Sequence, residues 1–130
     1  GKRIQEELYN DFSEAVEDII EQIRNIVCEG PYVIFGHSMG SWLAYELYYN
    51  IVEKGFPLPI HMFLSGNRSP FVKPNVSLIE YDDDQFIDYI IKNHDATKKI
   101  FRVPKLRKLF LPILRSDYTM METYKKSKKN

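Results

Sequence analysis

Between Asp11 and Gly30 the apolar residues Val16, Ile19, Ile20, Ile23, Ile26 and Val27 recur at helical spacing, which predicts an amphipathic helix with one buried stripe. Asp11-Phe12-Ser13-Glu14 fits a capping box at its start, and Gly30-Pro31 stops it. Tyr32-Val33-Ile34-Phe35 is then an unbroken apolar run between turn residues, the pattern of a strand buried on both faces. A sharp turn is predicted from Gly36 to Gly40. The next helix carries Leu43, Ala44, Leu47, Tyr48 and Ile51 on one side and ends at Gly55, with Pro57 just beyond. Ile60 to Leu64 reads as a second apolar strand closing at Ser65-Gly66. Helix, strand, helix, strand in that order implies parallel strands joined by a right-handed crossover.

The pattern changes near residue 82. Asp82-Asp83-Asp84-Gln85 opens a helix through Phe86, Ile87, Ile90 and Ile91, with acids suited to its positive end. Pro104 fits the first turn of a further helix bearing Leu106, Leu109 and Phe110. Pro112 is expected to kink or restart it before Tyr118, Met120 and Met121. This is the pattern of a small helical cap beside a sheet domain. The fold class is α/β.

Charge adds an asymmetry that the pattern hides. Residues 1–100 hold 9 Lys and Arg against 16 Asp and Glu, whereas residues 101–130 hold 9 against 2. The basic end, residues 125–130, lacks the aromatic interleaving of a nucleic-acid surface and reads as a solvated tail. No run approaches the ~20 apolar residues of a membrane span, so neither nucleic acid nor membrane is expected as a partner. The single cysteine, Cys28, excludes an internal disulfide, fits a reducing cytoplasm and reads as a small packed residue. No spacing of ligand residues suggests a metal, and no cofactor is expected.

One motif carries chemistry. Gly36-His37-Ser38-Met39-Gly40 is G-x-S-x-G set between a buried strand and a helix, the context of a nucleophile elbow. The residues two before and two after the serine must be small if strand and helix are to pass closely. The turn projects the Ser38 hydroxyl at the positive end of the next helix, where the Met39 backbone N–H can donate to a developing oxyanion. A serine nucleophile needs a base, and the base an orienting acid. Of the three histidines, His37 adjoins the serine and leaves the turn in another direction, His61 lies in the following strand, and His94 lies in the helical cap. None is well placed as the base. Ser65-Gly66-Asn67 closes the second strand without a carboxylate. The triad is expected to be incomplete in these residues.

With these features in view the chain resembles the type II thioesterases of nonribosomal peptide and polyketide synthesis, which are α/β-hydrolases. The resemblance rests on Pro31 to Gly40, His61 to Gly66, Asp83-Asp84-Gln85-Phe86 and Leu111 to Tyr118, and it extends over nearly the whole chain. It implies a cytoplasmic enzyme that hydrolyses acyl thioesters from the phosphopantetheine arm of an acyl or peptidyl carrier protein. Ser38 would be the nucleophile and Met39 an oxyanion donor, with Gly36, His37 and Gly40 supporting the motif. Residues 1–81 would be the central part of the hydrolase core, residues 82–124 a helical lid, and residues 125–130 a basic tail. The second oxyanion donor would precede Gly1, and the strand with the aspartate and the segment with the base would follow Asn130. The chain then reads as an internal piece, inactive alone, whose open strand edges favour self-association. Two other readings stand beside this one. The first is an esterase or lipase, against which the lid segments argue. The second is a non-catalytic module that docks a carrier protein through Lys105, Arg107, Lys108 and the terminal lysines.

Overall fold

The Asp11 carboxylate accepts the Glu14 N–H at 3.0 Å and so caps the first helix, α1 (Phe12–Glu29). The computed structural model describes residues 2–72 and 75–125. After α1 come β1 (Val33–His37), α2 (Met39–Glu53) and β2 (His61–Ser65). Next are α3 (Asp83–Asn93), a 3₁₀ turn (Asp95–Thr97), α4 (Lys98–Phe101) and α5 (Pro104–Thr123). They form two compact units, Asp11–Lys73 with Tyr124–Asn130, and Gly1–Asn10 with Pro74–Thr123.

In the first unit β1 and β2 pair in parallel, with Val33 opposite His61 and His37 opposite Ser65. The ladder runs one bond past each end, Ile60 N–H to Tyr32 O at 2.9 Å and Ser38 N–H to Ser65 O at 2.8 Å. Val16 and Ile20 of α1 pack on Leu47 and Ile51 of α2, with Ile34 of β1 against them. The other face of the sheet is open: Val33 is 50% and Phe35 68% exposed. The expectation of a strand buried on both faces is therefore corrected. In the described chain the helices cover only the side to which Ile34 points, and the alternation of a strand sends Val33 and Phe35 the other way.

Two further expectations on α1 fail for one reason. Ile26 is 61% exposed and Cys28 is exposed, because both flank Val27 at roughly 100° steps on the helix and Val27 takes the buried position. A second cluster joins Phe12, Trp42 and Tyr124, with ring centroids 4.7 Å apart for Phe12–Tyr124 and 5.4 Å for Trp42–Tyr124. The Tyr124 hydroxyl donates to the buried Glu46 carboxylate, and the Trp42 indole N–H to Arg68 O at 2.9 Å.

The second unit is helical. Asp82 and Gln85 form a reciprocal capping box at the start of α3. Leu78, Phe86, Ile87, Ile90, Phe101 and Leu111 make its core. Two side chains of α5 hold the segment before α3. The Arg115 guanidinium lies 4.5 Å over the Phe86 ring and donates to Leu78 O and Tyr81 O, while Glu122 accepts the N–H groups of Leu78 and Ile79. Pro112 neither ends nor restarts α5. The helix runs unbroken, since a proline removes one N–H from the ladder and the bonds on either side remain. Leu106, Leu109 and Phe110, read as core-spacing residues, are 36%, 40% and 36% exposed, and Leu111 holds the buried position instead. Lys125 is exposed; the rest of the expected basic tail, residues 126–130, lies outside the described residues.

Candidate active site

β1 ends at His37 and α2 begins at Met39, so one residue must turn the chain from strand to helix. That residue is Ser38, whose φ of 53° and ψ of −126° are unusual for a side-chain-bearing residue. No other described non-glycine residue has positive φ. A backbone held in such a region costs of order 1–3 kcal/mol and persists only where its surroundings over-determine it. Here they do. Ser38 N–H is tied to Ser65 O, while Ser38 O accepts the Ser41 hydroxyl at 2.7 Å, the Ser41 N–H at 2.9 Å and the Asn67 amide at 3.1 Å. The side chain is left free of these restraints: Ser38 is exposed and its hydroxyl makes no capping bond to α2.

The two motif glycines differ in what they do. A β-carbon on Gly36 would overlap the Gly40 carbonyl oxygen and lie 2.8 Å from both the Gly40 carbonyl carbon and Ser41 Cα. This is the close strand–helix pass that the motif predicts. A β-carbon on Gly40 meets nothing within 4 Å among the described residues. The expected steric need at Gly40 is thus not one this chain imposes.

His37 packs beside the end of β2. Its Nδ1 lies 3.3 Å from Ser65 Oγ, and its ring fills the space beside Gly66, where a β-carbon would come within 2.8 Å of Nδ1. His61 opens β2 opposite Val33, four residues before Ser65, or about 13 Å along the strand from the elbow end. It is exposed, its ring centroid 4.6 Å from that of Phe63 and tilted 50° to it. His94 caps the C-terminus of α3 in the helical unit. Met39, half-buried, is the first residue of α2, where helix N–H groups lack a preceding carbonyl. Among the described residues no group of three or more His, Cys, Asp or Glu side chains could hold a metal ion. No described helix is long and apolar enough to cross a membrane.

A family model for the thioesterase domain matches residues 1–130, the full length of the chain. The chain belongs to the thioesterase family. This thioesterase domain is 28% identical over 125 residues to the medium-chain S-acyl fatty acid synthase thioesterase of Homo sapiens, covering 93% of this chain and 47% of that protein. Among solved structures it resembles ClbQ from the colibactin NRPS/PKS pathway, with a TM-score of 0.89 and 32% identity over 99% of this chain and 54% of the other. It also resembles RedJ, the thioesterase of the prodiginine biosynthetic pathway in Streptomyces coelicolor. There the TM-score is 0.87 with 26% identity, over 99% of this chain and 51% of the other. The chain spans about half the length of the curated relatives it matches. The elbow between parallel strands belongs to an α/β-hydrolase fold, as the motif implied.

Sequence reasoning located the elbow but missed what holds it. Asn67 was noted only as a non-carboxylate, yet its amide fixes the Ser38 carbonyl. An amide just beyond the strand paired with the elbow strand is the signal that could have shown it.

Proposed function

We propose that the protein is a serine thioesterase of the type II class, which hydrolyses acyl thioesters carried on the phosphopantetheine arm of an acyl or peptidyl carrier protein. The observation that carries this reading is Ser38, a strained and exposed elbow residue whose hydroxyl caps nothing. In the reaction the Ser38 oxygen attacks the thioester carbonyl and its proton passes to a base. The carbonyl oxygen gains charge, which the Met39 N–H at the start of α2 stabilises. The C–S bond breaks, the thiol leaves with a proton, and water then cleaves the acyl-serine ester. The base, its orienting acid and a second oxyanion donor are assigned to parts of the whole protein beyond this chain, because His37 and His61 are both turned to other partners. Residues 82–124 are assigned as the lid of the acyl site, and the protein to the cytoplasm. The basic C-terminal segment, residues 101–130, suits an acidic carrier surface; of its cations Arg107 is already paired with Asp84 at 2.9 Å.

A serine-reactive fluorophosphonate tests the assignment. It should label the whole protein, and Ser38→Ala should abolish the label. A label that survives the substitution removes Ser38 from the role.

A further inference from the structure

The Ser38 ψ of −126° sets how the whole Ser38–Met39 peptide unit is rotated relative to the serine side chain. That unit is planar and trans, so its carbonyl and its N–H point in opposite directions. Whatever grips the Ser38 carbonyl oxygen therefore aims the Met39 N–H. Besides the Ser41 backbone N–H, two side chains grip it. The Ser41 hydroxyl donates at 2.7 Å from the first turn of α2, and the Asn67 amide at 3.1 Å from the segment after β2. At the other end of the same peptide unit, no described residue accepts the Met39 N–H.

Both side chains are themselves held for this task. Ser41 is 5% exposed, so its hydroxyl would be left unsatisfied without the carbonyl. Asn67 is half-buried, and its Oδ1 accepts the Arg68 N–H at 2.8 Å, which turns the NH₂ group towards the Ser38 carbonyl. The Arg68 carbonyl is fixed in turn by the Trp42 indole N–H at 2.9 Å. Gly66, at φ 68° and with the His37 ring in the space a β-carbon would need, makes the turn that leads from β2 to Asn67. Hydrogen bonds to a carbonyl also polarise its peptide unit and strengthen the N–H as a donor. We propose that Ser41 and Asn67 are positioning residues: by holding the Ser38 carbonyl they aim the Met39 N–H at the oxyanion formed on the substrate. The inference rests on the proposed serine mechanism and adds the groups that preorganise the oxyanion donor supplied by this chain.

The test is turnover of an acetyl-phosphopantetheine thioester by the whole protein and its Ser41→Ala, Asn67→Ala and Asn67→Asp variants. Asn67→Asp keeps the size of the side chain and the acceptor for the Arg68 N–H but loses the donor to Ser38 O. Each variant should lower kcat and kcat/KM together by about ten-fold, the order of one hydrogen bond in the transition state. That is less than the roughly 10²–10³-fold that follows outright loss of an oxyanion donor. A trifluoromethyl ketone analogue, whose adduct with the serine carries an oxyanion, should lose affinity by the same factor as kcat/KM. A thioether analogue, with CH₂ in place of the carbonyl, should bind every variant as it binds the parent. Should Ser41→Ala fail to fold, Asn67→Asp, at the half-buried site, carries the test. Turnover by the Asn67 variants that matches the parent, or thioether and ketone affinities that fall alike, overturns the positioning role. Fluorophosphonate labelling separates the two readings. A parent labelled at Ser38 whose variants keep full turnover sinks the positioning role alone, whereas a parent unlabelled at Ser38 sinks the serine mechanism and this role with it.

Discussion

At the scale of single residues the motif's two glycines give opposite expectations. Gly36→Ala places a carbon against backbone atoms of Gly40 and Ser41, which no rotamer change can relieve. Overpacking of this kind costs typically 1–3 kcal/mol, so the urea midpoint should fall without a change in slope. Gly40 lies in α2 with open space at its β-position, so Gly40→Ala should be neutral or stabilise by up to about 1 kcal/mol through helix propensity. Equal losses from the two substitutions would show that the pass at Gly36 is not the tight one. The pentapeptide made Ser38 legible because a nucleophile elbow needs one residue in a rare conformation and one close pass. The symmetric reading of its glycines failed because spacing fixes the turn and says nothing of which side of it is crowded. Cys28 and Ile26 were misplaced for a related reason, since a stripe read from periodicity is wider than the strip a neighbouring helix covers.

Among elements, α5 shows how a helix orders a segment that has no regular structure. Residues 77–81 lack a ladder of their own, and Arg115 and Glu122, two turns apart on one face, supply partners for their carbonyl and N–H groups. Leu78 is buried, so losing the Glu122 acceptor strands N–H groups beside a dry core. Hydrogen bonds to charged groups are worth about 1.5–3 kcal/mol, and Glu122→Ala should destabilise by that order, while Glu122→Gln should recover part of the loss. An alanine variant as stable as the parent would mean that water replaces the carboxylate. The helices were legible from their caps and apolar spacing, but this staple was not, because it joins residues more than thirty positions apart. On α2, Tyr45 has its pKa pushed up to about 12 by a hydrogen bond to Tyr49, with burial and the charge of Glu46 adding to it. Tyr124 is raised as well, by burial first and then by its bond to Glu46. A folded-state pKa above the ordinary value of about 10 means that the neutral hydroxyl stabilises the fold below pH ~10, and that this stability is lost as pH rises towards 12. Urea midpoints measured between pH 9 and 11 should fall, and Tyr45→Phe should flatten the fall. A variant with an unchanged slope would take Tyr45 out of the alkaline transition.

For the whole molecule the decisive fact is what the first unit leaves open. Val33, Phe35, Ile60 and Phe63 are each at least half exposed, a set of β-formers that sequence alone reads as interior. Local pattern reports which residues want cover and cannot report whether the chain at hand supplies it, which is why the strand was legible and its burial was not. On the proposed assignment the same incompleteness governs the chemistry. A neutral serine hydroxyl is a poor nucleophile until a base takes its proton. His37 is turned to Ser65, and His61 sits at the far end of its strand. Without base and acid a serine hydrolase keeps only about 10³–10⁴-fold catalysis over water, from the oxyanion hole and binding. The 130-residue chain should therefore turn over an acetyl-phosphopantetheine thioester at no more than that residual rate. A longer form that adds the remaining half of the relatives' length should exceed it by several orders. Ser38→Ala should abolish the activity of the longer form and leave the residual rate of the short one nearly unchanged, because an unactivated hydroxyl contributes little. Comparable rates for the two forms would instead make His37, His61 or His94 the base, and single His→Gln substitutions would then identify which.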